Sequence, residues 1–167
     1  MDILPINKIV NYMRDYQKEN NIIGRCITNS QYLYDCLIHS FKNKNINIKC
    51  EVKCVYITFF KNGKLIIASD HLVLLLNDDE IIDPSYAIYK LRPKYYLTYK
   101  NFNEYVSFRR GLPIIKKEQQ NLLNRHIEFT KYADNINNTN YKIPVITDKD
   151  YYNKQADYIQ KCFQGNI

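Results

Sequence analysis

The chain has 167 residues, of which 46% are hydrophobic and 25% charged, and a net charge of +7. This composition excludes a disordered chain, and the length suits one full core but is short for two. We expect a single domain over residues 1–167, with a core over about 1–92 and a helical part over about 93–167.

Two amphipathic helices open the chain. The first is predicted over about residues 5–18, because its apolar residues recur at helical spacing: Ile6, Ile9, Val10 and Met13. The second is predicted to begin at Cys26 and to end within residues 42–49. Helical spacing places four further residues on the same side of this helix as Cys26: Ser30, Leu33, Leu37 and Phe41. Cys26 follows Gly24 and Arg25 at the helix N-terminus, where partial positive charge and unpaired N–H groups stabilise a thiolate.

The middle of the chain has the pattern of an antiparallel sheet. Two β-rich runs flank Asn62-Gly63, a strong hairpin signal. The continuous apolar run over residues 72–76 is typical of a central strand covered on both faces. A turn at residues 77–79 joins it to the next strand, so we expect three or four antiparallel strands.

After Pro93 the pattern becomes helical again. The apolar residues that indicate this are Phe102, Tyr105, Val106, Ile115, Leu122, Leu123 and Ile127. A polar loop over residues 133–144 precedes a last helix from about residue 148, with Thr147 and Asp150 resembling a capping box. Its predicted apolar stripe is Tyr152, Ala156, Ile159 and Phe163. Helices, a sheet and further helices in this order indicate an α+β fold.

Three residues could form a nucleophilic site. A thiol nucleophile needs a base, and the base needs a group that orients it. His71 opens the apolar strand, and Asp83 lies on the next strand, so an antiparallel pair with its turn at residues 77–79 places them roughly opposite each other. Taken singly, each residue is more simply explained by structure: Cys26 as a small buried residue, His71 as a strand-end histidine and Asp83 as a turn residue.

The order of these residues resembles the Cys-His-Asp order of the transglutaminase-like superfamily, a papain-related group. The stretch "DHLVLLLNDDEIIDPSY" is similar to a histidine and Asp-Pro-Ser pattern of that group, and "GRCITNSQYLYDCL" is similar to the nucleophile segment of arylamine N-acetyltransferases. The resemblance covers about residues 20–90. It implies a papain-like or transglutaminase-like core, with Cys26 as nucleophile, His71 as general base and then acid, and Asp83 orienting His71.

The chemistry implied is acyl transfer through a thioester. Hydrolysis of a peptide or isopeptide bond by a thiol protease is the first expectation, and transfer to an amine is a second. The Cys26 N–H would meet the oxyanion. Asn20, six residues before Cys26, stands where papain-like enzymes often have a glutamine, although a plain turn explains it equally.

The other cysteines and histidines give weaker signals. Cys50 and Cys54 lie four residues apart on one strand face, which is too far for one tetrahedral metal ion without a bend. We expect no metal and no cofactor. The simplest roles for Cys36, Cys162, His39 and His126 are structural or exposed ones.

The resemblance implies that the partner is a protein or peptide substrate, whereas charge and cysteine usage bear on other partners and on location. A non-enzymatic alternative is a basic module that binds nucleic acid or an acidic protein through the tyrosine-rich region 89–110. Five irregularly spaced cysteines indicate a reducing, intracellular setting, with an infected host cell or a virion left open. No apolar stretch suggests a signal peptide or a membrane span.

Overall fold

Helices and an antiparallel sheet make up the computed structural model, which confirms the α+β class. The structure describes residues 5–61, 64–86, 94–96, 116–138 and 148–165. Within these ranges there are four helices and one four-stranded sheet.

The two N-terminal helices lie close to their predicted positions. Helix α1 is Ile6–Glu19 and helix α2 is Cys26–Asn43. Between them Gly24 has φ +71°, a left-handed conformation that glycine adopts without steric cost. The predicted side of α2 is buried, and its members are Cys26, Ser30, Leu33, Leu37 and Phe41. Burying each of the two leucines contributes roughly 1.5–3 kcal/mol.

Three consecutive strands form the meander that the sequence predicts. Strand β1 is Cys50–Lys61, β2 is Lys64–Leu76 and β3 is Glu80–Ile82, all antiparallel to their neighbours. Residues 64–76 form one long strand rather than two, which decides between the three and four strands left open. Residues 72–76 are all buried, as expected of a strand with both faces covered. The β2–β3 turn uses positive φ angles at Asn77 and Asp78, and these residue types tolerate them.

A fourth strand corrects the prediction of a wholly helical segment after Pro93. Strand β4, Lys94–Tyr96, pairs with β1 and gives the sheet the order β3-β2-β1-β4. It pairs Tyr95 and Tyr96 with residues 57 and 56 of β1. Aromatic residues favour strands, and β1 would otherwise leave unpaired backbone groups along this part of its edge.

The third helix is longer than predicted. Helix α3 is Lys116–Asn137, so the first five residues of the predicted polar loop are helical. Ala133 and Ile136 are buried in the core, and Asn137 hydrogen-bonds the β1 backbone. These contacts hold the final turn against the sheet. The predicted apolar positions from Phe102 to Ile115 lie outside the described residues.

The last helix differs from its prediction in its cap and its buried side. Helix α4 is Lys149–Phe163 and its N-cap is Asp148, whose side chain accepts a bond from the Tyr151 N–H at 3.1 Å. Asp148 therefore does the work predicted for Thr147, which lies outside the described residues. The buried residues of α4 are Tyr151, Gln155, Ile159 and Cys162, while Phe163 is 44% exposed. The buried side is thus shifted from the predicted one, because Tyr151 and Gln155 enter a buried polar cluster.

The main core lies between the helices and one face of the sheet. Residues from all four helices pack there with alternate residues of two central strands: Val52 and Cys54 from β1, and Leu72, Leu74 and Leu76 from β2. Among the described residues, no helix has the length and apolar character needed to cross a membrane.

Candidate active site

Cys26 is the first residue of α2, and its side chain points toward β2. Its Sγ atom lies 3.6 Å from the carbonyl oxygen of Asp70, and the residue is 8% exposed. One turn further along α2, Ser30 Oγ donates to the carbonyl of Leu72 at 3.1 Å. Strand β3 pairs with β2 only from Leu74 onward. The side chains at the start of α2 therefore bind β2 carbonyls that lie before the paired part of the strand.

The start of α2 is electrostatically suited to an anion. Arg25 occupies the N-cap and supplies no side-chain acceptor to the first turn, and the first turn contains no acidic residue. A helix N-terminus carries about half a positive charge and directs free N–H groups outward. A thiolate or an oxyanion at Cys26 would therefore be stabilised from the helix side.

An irregularity in the β1–β2 ladder lies directly before His71. Val55 pairs with His71, but the next pair is Ile57 with Ala68. One residue of β1, Tyr56, therefore stands against two residues of β2, of which Asp70 is one. Bulges of this kind redirect side chains and often lie beside functional sites. Because β2 begins at Lys64, His71 lies within the strand, just after the irregularity, and not at the start of a strand as the sequence suggested.

His71 and Asp83 are in direct contact. The Nε2 atom of His71 lies 2.7 Å from Oδ2 of Asp83. The β2–β3 register pairs Leu74 with Ile82. Asp83, the next residue, is therefore a diagonal neighbour of His71 on the same side of the sheet. The other carboxylate oxygen, Oδ1, accepts a bond from the Ser85 N–H at 2.9 Å. Both oxygens of Asp83 are thus held.

The surroundings of His71 favour its charged form. Burial disfavours the imidazolium, but the hydrogen bond and charge of Asp83, together with those of Cys26, outweigh it and raise the pKa of His71 to about 10. The side chains of His71 and Asp83 are only 16% and 9% exposed, so water screens their interaction weakly. His71 is therefore an imidazolium at neutral pH.

Cys26 and His71 are within hydrogen-bond reach of each other, and this contact is one cause of the raised pKa of His71. Because Asp83 holds Nε2, the other ring nitrogen, Nδ1, is the one left to face Cys26. A Cys26 thiol would direct its proton to the Asp70 carbonyl, whereas a thiolate would accept a bond from Nδ1–H of the imidazolium. The structure thus brings together Cys26, His71 and Asp83 in an order that suits a thiolate–imidazolium pair held by a carboxylate.

Asn20 occupies a different kind of position. It is the C-cap of α1, is exposed, and donates its side-chain amide to the Tyr16 carbonyl at 2.8 Å. This bond serves the helix end. The oxyanion role of Asn20 stays a prediction.

The remaining cysteines and histidines make other contacts. Cys54 Sγ lies 3.5 Å from Nδ1 of His126, and the His126 ring stacks on Tyr56 at 4.4 Å between ring centres. Burial raises the pKa of Cys54 to about 12 and lowers the pKa of His126, so both groups are neutral near pH 7. His39 is exposed and contacts Asn43. In the described part of the chain no three His, Cys, Asp or Glu residues are grouped as metal ligands.

Sequence reasoning missed a buried polar cluster behind Asp83. Its members are Gln17, Asn29, Ser85, Tyr151 and Gln155, contributed by α1, α2, the segment after β3, and α4. The available signal was Gln17, which follows Met13 by four residues on the buried side of α1. A polar residue at such a position needs buried partners.

Comparisons of the chain with family models, with curated proteins and with solved structures found no match. The resemblance to the transglutaminase-like group therefore stays a prediction. The basic region 89–110, on which the binding-module alternative depends, lies outside the described residues except for the backbone of residues 94–96.

Proposed function

We propose that the protein is a cysteine-dependent acyl-transfer enzyme that hydrolyses peptide or isopeptide bonds. The observation that carries the proposal is the contact series Asp83–His71–Cys26, with 2.7 Å between Asp83 and His71 and the cysteine at a helix N-terminus. The α+β arrangement, with this helix packed on an antiparallel sheet, supports a papain-like or transglutaminase-like core.

The residues divide the reaction among them as follows. The imidazolium of His71 holds the proton that Cys26 has given up, and the thiolate sulfur attacks the carbonyl carbon of the substrate. The backbone N–H of Cys26 faces the oxyanion, because Arg25 does not cap the first turn of α2 with its side chain. His71 then returns a proton to the departing amine, and water releases the acyl group from the thioester. Asp83 holds the ring and stabilises its charge throughout.

The expected substrate is a protein or peptide, and the expected setting is intracellular. Five free cysteines agree with a reducing compartment. Release of the acyl group to an amine in place of water would make the enzyme a transferase with the same three residues, so product analysis distinguishes the two.

The first test measures alkylation of each cysteine by iodoacetamide between pH 5 and 9, followed by mass spectrometry. Cys162 is the matched control, because it is 9% exposed against 8% for Cys26 and lies in α4 beside Tyr158. We expect Cys26 to react at least about tenfold faster than Cys162 at pH 6, where an ordinary thiol is almost fully protonated.

Replacement of the histidine completes this test. His71→Ala should abolish the fast reaction of Cys26, and His39→Ala, which removes an exposed histidine, should leave it unchanged. Equal rates at Cys26 and Cys162, unaffected by His71→Ala, would refute the enzyme proposal. Incubation with a peptide mixture, with Cys26→Ala as the blank, should then yield new peptide termini or, for a transferase, amine adducts.

A further inference from the structure

Four hydrogen bonds between side chains and the backbone fix the segment that carries Asp83. Ser85 N–H binds Asp83 Oδ1, and Arg14 Nε of α1 donates to the Ser85 carbonyl at 3.2 Å. Gln17 supplies the other two, donating to the Pro84 carbonyl at 2.9 Å and accepting from the Tyr86 N–H at 2.7 Å. A single side-chain amide therefore bridges a carbonyl and an N–H of the segment, as a neighbouring strand would.

The hydrogen bonds of Gln17 fix its orientation. Its Nε2 donates both protons, to the Pro84 and Met13 carbonyls, and its Oε1 accepts two bonds, from Tyr86 N and from Asn29 Nδ2 at 3.1 Å. The residue is 1% exposed. A buried amide with every donor and acceptor used has only one orientation, and it holds its partners with little freedom.

Asn29 connects this arrangement to the nucleophile helix. It lies one turn after Cys26 on α2, and its second amide proton goes to Ser85 Oγ at 3.1 Å. The side-chain oxygen of Asn29, Oδ1, accepts a bond from the hydroxyl of Tyr151 at 2.5 Å, which extends the cluster to α4. The helix that carries Cys26 and the segment that carries Asp83 are thus tied to the same two buried amides.

We propose that Gln17 is a positioning residue for the site, which with Asn29 and Ser85 sets the distance of the Asp83 carboxylate from His71. The inference rests on the proposed function, because positioning Asp83 matters for catalysis only if Cys26, His71 and Asp83 form the active site. Its geometry is independent of catalysis, because it concerns only how Asp83 is held. A purely structural cluster would stabilise the fold without changing how His71 binds its proton.

The test follows the titration of His71 by NMR of the histidine ring protons, assigned with His71→Gln. The groups that act directly on the ring are Asp83 and Cys26. The charged groups nearby on the packed elements are Arg14 on α1 and the Asp70–Arg125 pair, which links β2 to α3 at 2.6 Å. None of these is altered in the variants.

Two variants remove the cluster's hold on Asp83. Gln17→Met keeps the side-chain length but loses all four hydrogen bonds, and Ser85→Ala removes only the hydroxyl that Asn29 binds. We expect the titration midpoint of His71 to fall by at least one pH unit in Gln17→Met and measurably in Ser85→Ala. The rate of Cys26 alkylation at pH 6–7 should fall about tenfold in Gln17→Met, since a His71 ring that Asp83 holds less firmly stabilises the thiolate less.

Two controls separate positioning from loss of stability. Asn137→Ala loses two partly buried bonds to Val52, and Tyr152→Phe loses the hydroxyl bond to Asp35, next to Tyr151 on the same helix. Neither should move the His71 titration. If His71 titrates as in wild type in a folded Gln17→Met protein, or in Ser85→Ala should Gln17→Met not fold, the inference is wrong.

Failure of the proposed function gives a different result. If Cys26 reacts no faster than Cys162, the enzyme proposal fails, yet the midpoint of His71 in these variants still reports whether Gln17 positions Asp83. Repeating the titration in a Cys26→Ser background isolates the His71–Asp83 pair from the thiol.

Discussion

His71 is the residue on which the site depends, since its ring contacts both other members of the proposed triad. A neutral histidine with Asp83 replaced could still lie near Cys26, but it would gain little from becoming charged. The carboxylate at 2.7 Å is what makes the imidazolium stable in a site that is largely buried.

The substitution Asp83→Asn tests this dependence. The amide keeps the shape of the side chain but removes the negative charge, so the pKa of His71 should fall from about 10 toward its ordinary value. We expect alkylation of Cys26 at pH 6–7 to slow by about tenfold or more, measured by mass spectrometry as a function of pH. Asp35→Asn is the matched control, because Asp35 pairs with Tyr152 on the exposed side of α2. A wild-type rate in Asp83→Asn would show that the carboxylate has no part in the site.

The contact between His71 and Asp83 was accessible from sequence because it depends on local rules. The helix start at Cys26, the turn at residues 77–79 and the two-residue alternation of strands suffice to bring His71 and Asp83 together. The cluster behind Asp83 was not accessible, because Gln17, Asn29 and Tyr151 belong to three helices whose mutual packing no periodicity specifies. The irregularity before His71 likewise depends on how β1 and β2 meet.

At the scale of elements, the two main differences from prediction arise where tertiary contacts extend or shift a helix. The sequence at the end of α3 has the polar composition of a loop. Ala133 and Ile136 nevertheless pack in the core, and Asn137 binds both backbone groups of Val52. In α4 the buried side includes Gln155, a polar residue that a search for apolar stripes passes over. Burial of polar side chains is set by their partners, and the partners are distant in sequence.

Asn137→Ala tests the attachment of α3 to the sheet. The loss of its side chain leaves the N–H and carbonyl of Val52 without this partner, and the expected cost is about 2–4 kcal/mol in the free energy of unfolding. Urea unfolding followed by circular dichroism measures it. Asn124→Ala, at an exposed position on the same helix, should change stability by less than about 0.5 kcal/mol. Equal effects of the two substitutions would mean that the bonds to Val52 contribute nothing.

At the scale of the whole molecule, the raised pKa of His71 couples the site to folding. The folded protein holds the His71 proton up to about pH 10, whereas an unfolded chain releases it near about pH 6.5. Between these values the folded state binds one more proton than the unfolded state, so the free energy of unfolding falls as pH rises. The contribution is fully present below about pH 6.5 and is lost by about pH 10. Burial lowers the pKa of His126, so its effect is confined to pH values below about 6.5 and does not overlap this window.

Urea unfolding at pH 6, 8 and 10 should therefore show stability decreasing with pH, with about 2–4 kcal/mol of the decrease due to His71. His71→Gln should lose stability at pH 6 and little at pH 10, so that its profile is flatter than that of wild type across this window. His39→Gln, at an exposed position, should have the wild-type slope. Parallel profiles for wild type and His71→Gln would mean that His71 is not held as an imidazolium, and the thiolate of Cys26 would then lack the cation that the proposed mechanism needs.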